Sequence, residues 1–423
     1  MIVTELHVEE IPEIYRRFAI AIGDQHWKRR VIALKNEIRG NRFLASYLHD
    51  ENSIAFTLDR FRELNEKYGA IPLQAAATHN TFPAVSFAAQ VLSIIKNSNA
   101  THAEKLKRRI HGAFNKPEDL RALQLELTAA THFHRRGYKV SWPEMNESGA
   151  LTVDLLIEDI CPNGLEVECK AITPNKGRKV HRRDALEFHS LLNSHLTPVN
   201  RSLRNGLSVV LTIAGRLPSN HKQLTELAKS TVRQIMMNQS TTLPDGSDIR
   251  ITEFPVEAIG DLQSIRAHGL DRKLIDKITA TDNRESMVIG TRAGGRLIFT
   301  IQSSNNDHLL TSVFDTVSDS AKRQCSGKRP AMFVVGFTGI DSSELLSIAE
   351  QDNTLGENPT ALRLAVSKFL SSSERDHVVG VGFLGKSSAT PIQHGITDTG
   401  GTAYYFPKLE SPFWDDRFSG LFS

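Results

Sequence analysis

Residues 151–173 read LTVDLLIEDICPNGLEVECKAIT: an acid, Asp154, among apolar residues, a Pro162-Asn163-Gly164 turn, and Glu168-Cys169-Lys170 inside a second apolar run. The spacing predicts two strands joined by that turn. Alternate side chains of a strand share one face. Glu166, Glu168 and Lys170 therefore point one way, and Val167, Cys169 and Ala171 point the other way into the core. Charged groups between apolar neighbours are costly to bury unless they are paired or bind metal. That cost predicts a bound cation on this face, or ion pairs.

The flanks extend the pattern. PEDLRALQLELTAATHFHRRG predicts a helix with Pro117 at its start and Gly137 just past its end. YKVSW (138–142) reads as a short strand. A helix follows over roughly 179–195, and GLSVVLTIA (206–214) is an apolar strand of the kind buried on both faces. The order from 117 to 214 is thus α-β-β-β-α-β. Residues 1–115 show apolar positions three and four apart and read as mainly helical. The basic stretch AEKLKRRIH (103–111) either faces a polyanion or is a solvated helix face. From 245 a second α/β section begins, with SMVIGTR and RLIFTIQS as strands turning at Ala293-Gly294-Gly295. A helix (LLTSVFDTVSDSAKRQ), the strand AMFVVGF, another helix (ALRLAVSKFLS) and the strand HVVGVGFLG come after it. The expected domains are a helical 1–115, a central 116–244, and an α/β region over 245–423.

Composition sets bounds on function. The 423 residues are 40% hydrophobic and 23% charged, which fits a globular protein. No run of about 18 apolar residues predicts a membrane span. The first residues, MIVTELHVEEIPEIYRRF, carry early acids and do not read as a secretory signal. Cys161, Cys169 and Cys325 lack CxxC spacing and read as reduced thiols, which predicts a cytoplasmic protein. Net charge of +3 points only weakly to nucleic acid, so local clusters matter more.

The residues permit a specific chemistry. Phosphodiester hydrolysis needs an activated water, neutralised phosphate charge and help for the leaving oxygen, and a divalent metal supplies all three. Magnesium, or manganese, takes hard oxygen ligands and keeps several waters, so one or two carboxylates suffice. Asp154 and Glu168 can supply them, with the backbone carbonyl of Cys169 as a further ligand. Lys170 can orient the attacking water or stabilise developing negative charge. Glu126 borders the Leu120, Leu123, Leu127 and Ala130 stripe of its helix; it either reaches over the sheet edge toward the metal or is an ordinary solvated glutamate. Glu166 reads as a flanking acid. Lys176, Arg178, Lys179, Arg182 and Arg183 form a cluster suited to backbone phosphates, or a solvated loop and helix start. His132, His134, His181, His189 and His195 read as structural. There is no GxSxG, and TRAGGR (291–296) reads as a hairpin turn. CSGKRP (325–330) could approach a phosphate, and a helix C-cap glycine explains it equally well.

With Glu126 in ELTAATHFHRRGYKV, Asp154 in TVDLLI, and Glu168 and Lys170 in EVECK, the chain resembles the PD-(D/E)xK nuclease superfamily. The resemblance covers a quarter to a third of the sequence, and Thr152-Val153 stands before Asp154 where the family's name has a proline. It implies an α/β protein with an αβββαβ restriction-endonuclease-like core, flanked by the helical N-terminal and α/β C-terminal regions. It also implies a magnesium- or manganese-dependent DNA endonuclease, with Asp154, Glu168 and the Cys169 carbonyl as ligands, Glu126 as a further acid and Lys170 beside the water. DNA is the expected partner, with a homodimer or partner-protein complex and a restriction or phage-defence role as the family analogy. A non-catalytic nucleic-acid-binding or assembly subunit of the same fold remains the alternative, as does a core ion-pair network in an unrelated enzyme.

Overall fold

The computed structural model describes residues 5–76, 81–143, 153–259, 272–281, 285–386, 390–393, 396–398 and 403–422. Strand β1 (Glu5–His7) is followed by helices α1 (Ile11–Ile22), α2 (Gln25–Gly40), α3 (Ala45–Glu51), α4 (Ser53–Tyr68), α5 (Leu73–Ala76), α6 (Phe82–Asn97), α7 (Ala100–Ala113) and α8 (Pro117–Arg135). Then come β2 (Val140–Ser141), β3 (Leu155–Ile157), β4 (Leu165–Ile172), α9 (Arg182–His195), α10 (Thr197–Ser202), β5 (Gly206–Ile213), α11 (His221–Met237), β6 (Thr241–Thr242), β7 (Asp248–Phe254) and α12 (Arg272–Thr279). The remainder is β8 (Glu285–Gly290), β9 (Arg296–Ser303), α13 (Leu309–Arg323), β10 (Ala331–Asp341), α14 (Ser342–Asn353), α15 (Ala361–Leu370), β11 (Val378–Lys386), β12 (Thr390–Gln393), β13 (Ile396–Asp398) and β14 (Ala403–Pro407). Leu151 and Thr152, expected at the start of the Asp154 strand, lie outside the described residues. Among the described residues, no helix is long and apolar enough to cross a membrane.

The chain divides into two compact units, one of residues 1–35, 49–176 and 309–423, the other of residues 36–48 and 177–308. In the first, six strands run in the order β14-β11-β10-β4-β3-β2. β2, β3 and β4 form an antiparallel meander, β4, β10 and β11 are parallel, and β14 returns antiparallel. Period-two patterning explains why both faces are covered. Leu165, Val167 and Cys169 of β4 pack with Leu125, Ala129, Ala130 and Phe133 of α8 on one face. Ile172 of β4, with Phe333 and Val335 of β10, packs with Val313, Phe314 and Val317 of α13 and with α15 on the other. A Cβ at Gly336 of β10 would stand 2.8 Å from the Leu125 side chain, so glycine there permits the close approach of α8 to the sheet. α8 carries a second stripe, Leu120, Leu123 and Leu127, that packs among the N-terminal helices. Glu126 stands between the two stripes. β1 pairs with β13, and β13 with β12, in a separate small sheet.

The second unit is built on the sheet β6-β7-β5-β9-β8, with β5 and β9 parallel and the other pairs antiparallel. α9 and α11 cover one face through Phe188, Leu192, Leu227 and Ile235. Ile259 and Ile275 pack on Ile298 at the other face. TRAGGR forms the turn between β8 and β9.

This arrangement differs from the expected domains. The helix over 179–195 and the strand over 206–214 form, but they belong to the second unit and do not complete the sheet of β2, β3 and β4. The parallel neighbour of β4 is β10, with Phe333 across from Glu168 and Val335 across from Lys170. The boundaries 116–244 and 245–423 accordingly cut through both units. An apolar strand such as β5 announces that both its faces will be buried, but it does not say in which sheet.

Candidate metal centre

The β3–β4 ladder pairs Leu155 with Val167, Leu156 with Glu166 and Ile157 with Leu165. Continued one step, this register sets Asp154 across from Glu168. There the ladder ends, and the side chain of Asp154 takes over: the Cys169 backbone N–H donates to its Oδ2 at 2.7 Å. The N–H and C=O of one strand residue point to the same edge. The Cys169 carbonyl therefore also faces the Asp154 side.

Glu168 is 1% exposed and Asp154 is 8% exposed. The Lys170 ammonium lies 2.6 Å from Glu168 Oε1 as an ion pair. Neither Glu168 oxygen accepts a well-directed hydrogen bond among the described residues. The Glu168 carboxyl is pushed up to about 8, first by burial and then by the Asp154 charge, with Lys170 pulling the other way. Lys170 is the most open member, its side chain 20% exposed, and it donates from Nζ to Gln324 Oε1 at 2.9 Å. Glu166, also buried, accepts the Ser326 backbone N–H at 2.9 Å. Thus the segment just past α13 reaches two residues of the charged face of β4.

Glu126 is buried and held by Arg109 of α7, whose two terminal nitrogens donate to its two oxygens at 2.6 and 2.8 Å. It still lies in the field of the centre. Burial, then the charges of Asp154, Glu126 and Glu168 in that order, push the Cys169 thiol up. Among the described residues, no three His, Cys, Asp or Glu side chains gather as a metal cluster. What adjoining strands set near each other is a pair of carboxylates, Asp154 and Glu168, with the Cys169 carbonyl facing the Asp154 side. That hard-oxygen set fits magnesium or manganese, which retain waters, and does not fit zinc.

The expected basic cluster is largely engaged within the second unit. Arg178 pairs with Glu285 at 2.7 Å, Arg182 lies 4.0 Å from the same carboxylate, and Arg183 pairs with Glu187 at 3.0 Å and with Glu37. Lys176, in the first unit, and Lys179 make no ion pair among the described residues. His189 is fully buried, without a hydrogen-bond partner for either ring nitrogen among the described residues, and is pushed down to about 3 by burial. His132 contacts the Leu421 carbonyl at 2.6 Å and stacks on Phe422. Sequence reading singled out the stretches that hold Arg109 and Ser326 but missed their pairing with Glu126 and Glu166, and it missed Gln324, because these partners are distant in sequence and no local spacing marks them.

Glu168 gives the metal-free chain a defined pH response. Its folded value is raised above 4.5, so folding takes up a proton between 4.5 and about 8, and stability falls as pH rises through that window. In EDTA, the urea midpoint of the wild type is expected to drop between pH 5 and pH 8 by more than that of Glu168→Gln. An equal drop in both proteins would refute the assignment.

Comparison with protein-family models, curated proteins and solved structures finds no match to this chain.

Proposed function

We propose that this chain is a divalent-metal-dependent DNA endonuclease built on a restriction-endonuclease-like core. One observation carries the reading: Glu168 is buried beside the charge of Asp154, and neither of its oxygens accepts a well-directed hydrogen bond among the described residues. Two carboxylates withdrawn from water repel each other, and the single ammonium of Lys170 offsets only one of them. A dication would neutralise the rest. The chain order α8-β2-β3-β4-α13-β10, with the second unit inserted after β4, supports the αβββαβ reading of the core.

Bound magnesium or manganese would supply charge neutralisation on the phosphate and an activated water. Asp154 and Glu168 would hold it, with the Cys169 carbonyl alongside. Glu126, with both oxygens on Arg109, supports the centre from behind. Lys170, held between Glu168 and Gln324, orients the attacking water or stabilises the charge that develops on the phosphoryl oxygens as the P–O bond opposite breaks. Cutting both strands of a duplex with one centre per chain calls for two protomers, so a homodimer belongs to the same reading, as does a restriction or defence role.

Plasmid, linear DNA and RNA incubated with the purified chain provide the test. DNA cleavage is expected with magnesium or manganese and none with EDTA; intact substrates under every metal would refute the reading. A second reading, a non-catalytic nucleic-acid-binding subunit, is favoured by the cations already on Glu168 and Glu126 and by the lack of a three-donor cluster among the described residues. Calorimetric titration with manganese separates the two: the nuclease shows one site that Asp154→Asn removes, and the binding subunit shows none.

A further inference from the structure

The last turn of α13 and the segment after it read Lys322-Arg323-Gln324-Cys325-Ser326-Gly327-Lys328-Arg329, four cations within eight residues. Two hydrogen bonds tie this segment to the charged face of β4: Lys170 Nζ to Gln324 Oε1 and Ser326 N–H to Glu166 Oε2, both 2.9 Å. Lys322 pairs with Glu374 at 3.3 Å. Arg323, Lys328 and Arg329 are exposed and make no ion pair among the described residues. This is the reverse of the 178–183 stretch, whose arginines are matched to carboxylates.

Cations in the last turn of a helix offset its dipole, which accounts for Lys322 and Arg323. It does not account for Lys328 and Arg329, which stand beyond Gly327, a residue with φ of 68° in the left-handed region. Two of the backbone donors here are already used, since Ser326 N–H goes to Glu166 and Lys328 N–H goes to Ser326 Oγ at 3.2 Å. A phosphate at this ledge would be met by the side-chain charges of Arg323, Lys328 and Arg329. Lys328 lies two residues from Ser326, so its Cα is within about 7 Å of a residue bonded to the strand of Glu168.

We infer that Arg323, Lys328 and Arg329 form the ledge that grips the phosphate backbone of duplex DNA beside the Glu168–Lys170 centre. The choice of ligand rests on the nuclease reading above. Binding driven by phosphate contacts weakens with salt in proportion to the number of contacts, by about 0.9 log unit in affinity per log unit of salt for each one.

The test is fluorescence anisotropy of a labelled DNA duplex with the full chain in EDTA, over a series of potassium chloride concentrations. The triple variant Arg323→Gln/Lys328→Gln/Arg329→Gln is expected to bind about tenfold to a hundredfold more weakly, with a salt slope shallower by about 2 to 3. Arg323→Lys with Arg329→Lys keeps the charges and is expected to keep the slope, which separates loss of charge from loss of fold. Unchanged affinity and slope in the triple variant would overturn the inference, as would a loss confined to Lys176→Gln with Lys179→Gln. A single-stranded RNA arm bound as tightly, with the same slope change, would overturn the choice of duplex DNA. The inference and the reading it rests on fail separately. Cutting that requires Asp154 and Lys170, with an intact slope in the triple variant, removes the ledge alone. Salt-sensitive binding lost in the triple variant, with no cutting under any metal, upholds the ledge and removes the nuclease.

Discussion

Lys170→Met is expected to lower magnesium-dependent plasmid cutting by roughly a hundredfold to a thousandfold, the loss typical when one preorganised charge donor is removed from a reaction centre. Methionine keeps the length of the stem and discards the ammonium that contacts both Glu168 and Gln324. Circular dichroism is expected to be unchanged, because the backbone pairing of β4 with β10 on either side of Lys170 persists. The metal titration is also expected to survive, since the carboxylates remain. Asp154→Asn should lose cutting and metal binding together, and with them the strong acceptor for the Cys169 N–H. Cutting at wild-type rate by both variants would remove the proposed centre.

Arg109→Ala carries the largest expected cost in stability. It leaves the buried carboxylate of Glu126 without the guanidinium that now meets both its oxygens. Breaking a fully buried pair costs about 3–5 kcal/mol, and the partly exposed Arg109 side chain brings the expectation down to about 2–3 kcal/mol. Chemical denaturation measures it. Arg109→Leu combined with Glu126→Leu is expected to recover most of the loss, because no charge is then left buried. If Arg109→Ala unfolds at the wild-type denaturant concentration, Glu126 is not held as described.

The hairpin at the heart of the fold was legible because strand periodicity is local. Two apolar runs and a Pro-Asn-Gly turn fix which residues share a face, and the packing of Val167 and Cys169 against α8 follows that division. The helix from Pro117 was legible from its start and stop residues. The partner of β4 was not, because β10 lies beyond the whole second unit and nothing in an apolar strand names its neighbour. The candidate centre shows the same limit. Asp154, Glu168 and Lys170 could be grouped by register and alternation. The pairing of Glu126 with Arg109, 17 positions earlier on another helix, and of Lys170 with Gln324, 154 positions later, depends on tertiary packing. The arginines of 178–183 looked available for phosphate because Glu37 and Glu285 are far away in sequence.

The insertion of residues 177–308 also bears on how the chain is made. Ribosomes add about 5–20 residues per second, so β4 waits on the order of ten seconds before β10 emerges to cover its open edge. During that interval an apolar strand stands ready to pair with any neighbouring chain. Closing a slack loop of this length would cost about 4 kcal/mol in lost freedom. The inserted unit has its two ends joined, with His308 N–H donating to the Gly177 carbonyl at 3.0 Å. Once it has folded, β4 and α13 are brought together as if by a tight turn, and the sheet closes without the entropy cost of that slack loop.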